Sequence, residues 1–179
     1  TVLTNGAMWA QCDIIFTSFV LWSLYFMLKD KPAWSMAFYG IAFAFKLQTL
    51  FIAPLYVLLW VKKKMKIQHF LWIPIMYFIG IIPSWIAGKN LWDLLTVYLF
   101  QANGEMDIYK LSHKFPNVYQ IIGTDSFLRE YADAGIYFTL AVLMVLMYYI
   151  ARKNFTFTKD LIIRMGMFFV MVVVFFLPH

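Results

Sequence analysis

Charge is scarce in this chain. Of its 179 residues only 13% are charged, while 63% are hydrophobic and 21% aromatic. A soluble domain sits nearer a quarter charged and half apolar, so the composition excludes that class and points to a membrane protein. One cysteine, Cys12, excludes an internal disulfide and leaves the redox compartment open. The three histidines (His69, His113 and His179) are isolated, so no metal-ligand spacing is present and no metal or other cofactor is expected. A phosphate-binding glycine loop, a dinucleotide fingerprint and a Ser/His/Asp order are all missing. No charged leader with a cleavage site precedes the first apolar run. The chain starts at Thr1 and stops at FFLPH, straight out of a hydrophobic run, and reads as an internal piece of a longer protein. Acids are outnumbered, leaving a net charge of +6. In a membrane protein that excess belongs in cytoplasmic loops, and no nucleic-acid partner is expected.

What the chain has is long apolar runs. Four segments, roughly 8–28, 68–87, 134–151 and 161–177, are long enough or nearly so to cross a bilayer, which takes about 20 helical residues. A fifth run, 33–61, holds Lys46 and Gln48 in its middle, in FKLQTLFIAP. As one helix it would be about 43 Å long and would carry basic clusters at both ends, KDK at 29–31 and KKKMK at 62–66. The positive-inside rule disfavours that arrangement. A turn near Lys46 puts both clusters on the cytoplasmic side, with two short arms that are re-entrant or packed within a bundle. The expected fold is therefore all-α and polytopic, with about four to six membrane helices, some short or broken. The inner segments 29–31, 62–66 and 152–164 then hold ten Lys/Arg against two acids. The outer loop 88–133 holds four against six.

On this topology Gln11, Asp13, Lys46, Gln48, the long loop and His179 all fall at or near the outer face. A charge within a membrane segment is costly unless paired or wet, which makes it a functional candidate. A cation in the outer leaflet suits a lipid-linked phosphate. Two readings of Lys46 stand open: phosphate ligand, or a lysine whose stem snorkels to the interface and only sets topology. Asp13 and Gln11 are likewise site residues or interfacial residues at a helix start, where an acid meets the positive end of the dipole.

In the outer loop, NLWDLLTVYLFQ (90–101) spaces Leu91, Leu94, Leu95 and Tyr98 as an amphipathic helix does, and is expected to lie in the interface plane. A polar stretch with Gly104, Pro116 and Gly123 as breakers follows. It carries Tyr109, His113, Asn117, Tyr119 and Gln120, residue types that stack on and hydrogen-bond to sugars. A solvated connector is the other reading of this stretch.

NGAMWAQCDIIFTSFVLWSLYFMLK (5–29) resembles the WGQxDxxxTxFLLLSLYFL stretch of bacterial membrane glycosyltransferases of the GT-C superfamily. These are the group related to the second mannosyltransferase of GPI-anchor synthesis and to protein O-mannosyltransferases. FKLQTLFIAPLYVLL (45–59) is similar to their FKxQxxFxxPxxxLL, and to the FKQMxLYxxP pattern of dolichyl-phosphate-glucose glucosyltransferases. LLTVYLFQ and LSHKFPNVYQII resemble LTIYxNQ and LSxNAPNxY, and the final FLPH resembles the start of LPxMHERY. The resemblance implies that residues 1–179 are part of a GT-C transmembrane domain, with 88–133 as an external loop.

It further implies transfer of a hexose, mannose or glucose, from a polyprenyl-phosphate donor to a glycan, lipid or protein acceptor, on the outer face of a bacterial plasma membrane. Lys46 with Gln48 would hold the lipid phosphate, and Gln11 and Asp13 would lie near the sugar. Asn117, Tyr119 and His179 would touch donor or acceptor. The general base would be an acid in a first external loop, upstream of Thr1. Ala10 stands where the family has the glycine of WGQ, and His113-Lys114-Phe115 stand where Asn-Ala often precedes the proline. A flippase or polymerase for lipid-linked oligosaccharides is the alternative. A flippase should show internal repeats, and none is found.

Overall fold

The computed structural model describes residues 13–103, 117–121, 132–154 and 156–177. Every regular element among the described residues is helical. The chain divides into two compact units, one within Thr1–Leu50 and Lys62–Ala102, the other within Phe51–Val61 and Asn103–His179.

The first unit starts with a helical hairpin, α1 (Asp13–Leu28) against α2 (Pro32–Phe45). α1 closes in a Schellman motif: Lys31 N–H donates to Phe26 O at 2.9 Å and Asp30 N–H to Met27 O at 3.1 Å. Asp30 takes the left-handed backbone (φ 56°) that this motif requires, which aspartate tolerates better than most residues. Pro32 then opens α2, where its missing N–H is no loss. Aromatic rings fill the seam, with Phe38 stacked on Phe19, Trp22 and Phe26 at 6.2, 6.0 and 5.1 Å. At the centre the fully buried Ser23 donates from its hydroxyl to Ser35 O at 2.7 Å. Two small serines let the backbones approach there.

α2 also packs on α4 (Trp72–Ile86), which continues the 3-10 turn Ile67–Leu71. Gly40 faces the backbone of Trp72 and Ile73, and Gly80 faces Ala44. Gly40 and Ala44 are four apart on one face, the small-xxx-small spacing of close helix contacts. Since Gly40 meets the start of α4 and the later Ala44 meets the later Gly80, the two run parallel. Their basic approaches, Lys29–Lys31 and the KKKMK cluster at 62–66, therefore lie at the same end of this unit. α4 closes in a second Schellman motif, Lys89 N–H to Ser84 O at 3.1 Å and Gly88 N–H to Trp85 O at 3.0 Å, with Gly88 at φ 92°. α5 (Leu91–Asn103) follows. Its inward residues are Leu91, Leu94 and Tyr98, while Leu95, expected on the same face, is 41% exposed.

In the second unit α3 (Ala53–Val61) packs between α6 (Ala132–Arg152) and α7 (Lys159–Phe176). α3 buries Leu55, Tyr56, Leu58 and Leu59, and α7 answers with Ile162, Met165, Phe169 and Val173 at helical spacing. Gly166 lets Leu55 and Ile52 in: a Cβ there would meet their terminal carbons at 3.3 and 3.5 Å. Thr158 caps α7, its hydroxyl accepting from Leu161 N–H at 3.2 Å.

Among the described residues two helices are long and apolar enough to cross a membrane, Ile67–Ile86 (20 residues) and Ala134–Arg152 (19 residues). None of the first is buried among the described residues. Of the other expected spans, α1 is described over 16 residues and α7 over 18, and α7 carries Lys159, Asp160 and Arg164 in its first two turns.

Candidate functional site at the break in the apolar run

The break expected near Lys46 is present. α2 ends at Phe45, and Lys46 turns to extended backbone (φ −156°, ψ 134°) while its N–H still bonds Ala42 O at 3.1 Å. A 3-10 segment, Leu47–Ile52, leads into α3, whose second residue is Pro54. A continuous α-helix would need an N–H at position 54 and would drive the proline ring into the Leu50 carbonyl. At the start of a new helix both objections vanish.

A broken helix in an apolar setting leaves carbonyls that need donors, and tyrosines provide them. The Tyr98 hydroxyl, from α5, lies 2.7 Å from Phe43 O and 3.1 Å from Ala44 O and shares its proton between them. Tyr39 donates to Thr49 O at 3.1 Å. Tyr98 is held by packing with Phe43 and Tyr77 at 5.2 and 5.8 Å, and Tyr77 donates in turn to Leu94 O at 2.8 Å. The Thr49 hydroxyl is buried and finds no hydrogen-bond partner among the described residues.

The Lys46 ammonium forms an ion pair with Asp13 Oδ1, from 33 positions earlier in the chain. The two side chains are 30% and 46% exposed. Each charge suits its helix: Asp13 is in the first turn of α1, where N–H groups point outward, and Lys46 caps the carbonyl end of α2. The Phe16 ring lies under the ammonium at 5.5 Å. The ammonium is part-exposed and paired with Asp13, so another anionic oxygen can compete for it. The pair sits at the end of the hairpin opposite Lys29–Lys31, about 21 Å along α2.

The structure thus brings together Asp13 and Lys46, with Gln48 exposed on the adjacent 3-10 segment. Gln11 and His179 lie outside the described residues. Asn117 and Tyr119, expected to touch donor or acceptor, are 4% and 8% exposed and belong to the interior of the second unit. Asn117 Oδ1 accepts from Tyr119 N–H at 3.1 Å, and the Tyr119 hydroxyl donates to Gly135 O at 3.2 Å. Burial pushes the Tyr119 phenol above its ordinary range, and its hydrogen bond with Thr139 pulls the other way. Tyr119 thereby ties the 3-10 turn Val118–Ile121 to α6, and Asn117 supports that turn locally. The tyrosine hydroxyls that cap the break were not anticipated. Helical spacing showed Tyr98 on an amphipathic face without showing which element that face meets.

Comparison of the chain with protein-family models, with curated proteins and with solved structures returns no match.

Proposed function

We propose that this chain is part of a membrane glycosyltransferase of the GT-C type, a polytopic bundle in a bacterial plasma membrane. It transfers a mannose or glucose from a polyprenyl-phosphate donor to an acceptor on the outer face. The observation that carries this reading is Lys46, a cation at a helix break inside an apolar run, next to Asp13 and opposite the basic turn Lys29–Lys31. With that turn at the cytoplasmic boundary, an α2 of about 21 Å leaves Lys46 about two-thirds of the way across a 30 Å hydrocarbon core. A charge at that depth is expensive unless partnered. Asp13 is its resident partner, and the phosphate of a lipid held in the outer leaflet is a natural replacement for it.

In this role Lys46 stabilises the charge that develops on the departing lipid phosphate. Gln48 lies close enough along the chain to assist, and on the resemblance to GT-C enzymes Gln11 would be a sugar contact. On the resemblance to GT-C enzymes, the base that deprotonates the acceptor hydroxyl is an acid upstream of Thr1.

The test uses full-length protein in membranes, supplied with polyprenyl-phosphate-linked mannose or glucose. Lys46→Ala is expected to lower release of the lipid phosphate about a hundredfold, with insertion unchanged by protease protection. Full activity in Lys46→Ala reduces the lysine to a topology residue. Absence of turnover in the wild type with either donor sinks the transferase reading in favour of a flippase or polymerase.

A further inference from the structure

We infer that Asp13 is a resident counter-ion that the anionic headgroup of the lipid must displace from Lys46, so that the pair is a latch setting how tightly the site takes an anion. This rests on the reading of Lys46 as a lipid-phosphate ligand.

Asp13 Oδ1 occupies the ammonium that the phosphate would use. With 46% of its side chain exposed at the first turn of α1, Asp13 has room to turn away from the ammonium toward the outer boundary. Lys46 need not move. Its backbone is anchored by the Ala42 bond, the carbonyls before it are held by Tyr98, and its ammonium rests on the Phe16 ring. Opening therefore amounts to a rotation of one carboxylate on the first turn of α1. The departing lipid phosphate is a monoester that carries more charge than a carboxylate and competes for the ammonium. The sugar-bearing donor is a diester with a single charge, and a lipid alcohol has none. While the pair is closed only a fraction of molecules is competent to bind, and apparent affinity falls by that fraction. Removing the carboxylate charge removes this competition. A purely supporting Asp13 behaves in the opposite way, since losing it would loosen Lys46 and weaken binding.

The experiment measures binding of farnesyl phosphate, farnesol and inorganic phosphate to the full-length protein in detergent, for wild type, Asp13→Asn, Asp13→Ser, Lys46→Gln and the double variant Asp13→Asn/Lys46→Gln. Circular dichroism melting checks each fold. Asp13→Asn and Asp13→Ser are expected to bind farnesyl phosphate about tenfold more tightly than wild type. Lys46→Gln should lose tight binding whether or not Asp13 is present, and farnesol affinity should be the same throughout. The two Asp13 substitutions differ in size, so a gain that follows charge appears in both, and either one that folds suffices. Unchanged or weaker binding in the folded Asp13 variants, with binding lost in Lys46→Gln, overturns the latch and leaves the phosphate site standing. Wild-type affinity in Lys46→Gln overturns the phosphate site and the latch with it. Equal affinity for inorganic and farnesyl phosphate overturns the lipid assignment.

Discussion

Single residues carry the backbone chemistry of this fold, and the two Schellman motifs allow a direct comparison. Gly88 and Asp30 occupy the same position after α4 and α1, both with positive φ. Space around Gly88 is open, so Gly88→Ala tests backbone strain alone and is expected to cost about 1 kcal/mol. Asp30→Gly should stabilise its hairpin by up to about 1 kcal/mol, both read from unfolding in detergent. Thr49 calls for a different substitution. Its buried hydroxyl has no partner among the described residues, so the near-isosteric Thr49→Val removes an unmet polar group and is expected to raise stability by about 1 kcal/mol. Tyr119 predicts an alkaline effect. Its folded phenol ionises above the ordinary value because burial disfavours the phenolate. The unfolded chain thus gives up its proton first, near pH 10. The contribution of Tyr119 is intact below that pH and is lost as pH rises through the folded value. Unfolding of wild type and Tyr119→Phe between pH 9 and 12 should show the steeper loss only in the wild type.

Between elements, the decisive contacts are made where side chains are missing. A Cβ on Gly40 would stand 2.9 Å from both Ile73 Cα and Trp72 O, atoms of a helix backbone that cannot step aside. A Cβ on Gly166 would meet only the end of the Leu55 side chain, at 3.3 Å. Gly40→Ala is therefore expected to lose about 2 kcal/mol as α2 and α4 are forced apart. For Gly166→Ala, the gain in helix propensity offsets a small repacking, and the net change should be near zero. Thermal melts of the two variants check the order, and a larger loss at Gly166 would refute this account of the contacts. The spacing of Gly40 and Ala44 was in the sequence, but glycine serves turns, kinks and close contacts alike. Only the approach of α4 identifies which purpose it serves here. Leu95 teaches the same lesson, since a helix rotated by a fraction of a turn leaves one of four periodic residues outside.

For the whole molecule the main question is which ends face which side of the membrane. The parallel run of α2 and α4 brings Lys29–Lys31 and the 62–66 cluster to one end of the first unit, as expected if both are cytoplasmic. In a Cys12→Ser background, Asp30→Cys and Lys64→Cys should be labelled by an impermeant thiol reagent only from the cytoplasmic side. Asn90→Cys should be labelled only from outside. Labelling of Asp30→Cys and Lys64→Cys from opposite sides would restore the single long helix through Lys46 and remove the basis for an outer-face site.

Composition alone determined that this chain is helical and apolar beyond the needs of a soluble core, because hydrophobic content and scarce charge are summed properties that need no coordinates. The break at Lys46 was legible too, since two basic clusters cannot both border the cytoplasm if one straight span joins them. Tertiary structure alone decided that Asp13 is the partner of Lys46. It also decided that Tyr98 and Tyr39 satisfy the carbonyls of the break, and that Asn117 and Tyr119 are buried in the second unit. Hydrophobic periodicity is local, whereas an ion pair across 33 residues or a hydroxyl seated on another helix depends on how whole elements pack, and no short stretch of sequence encodes that.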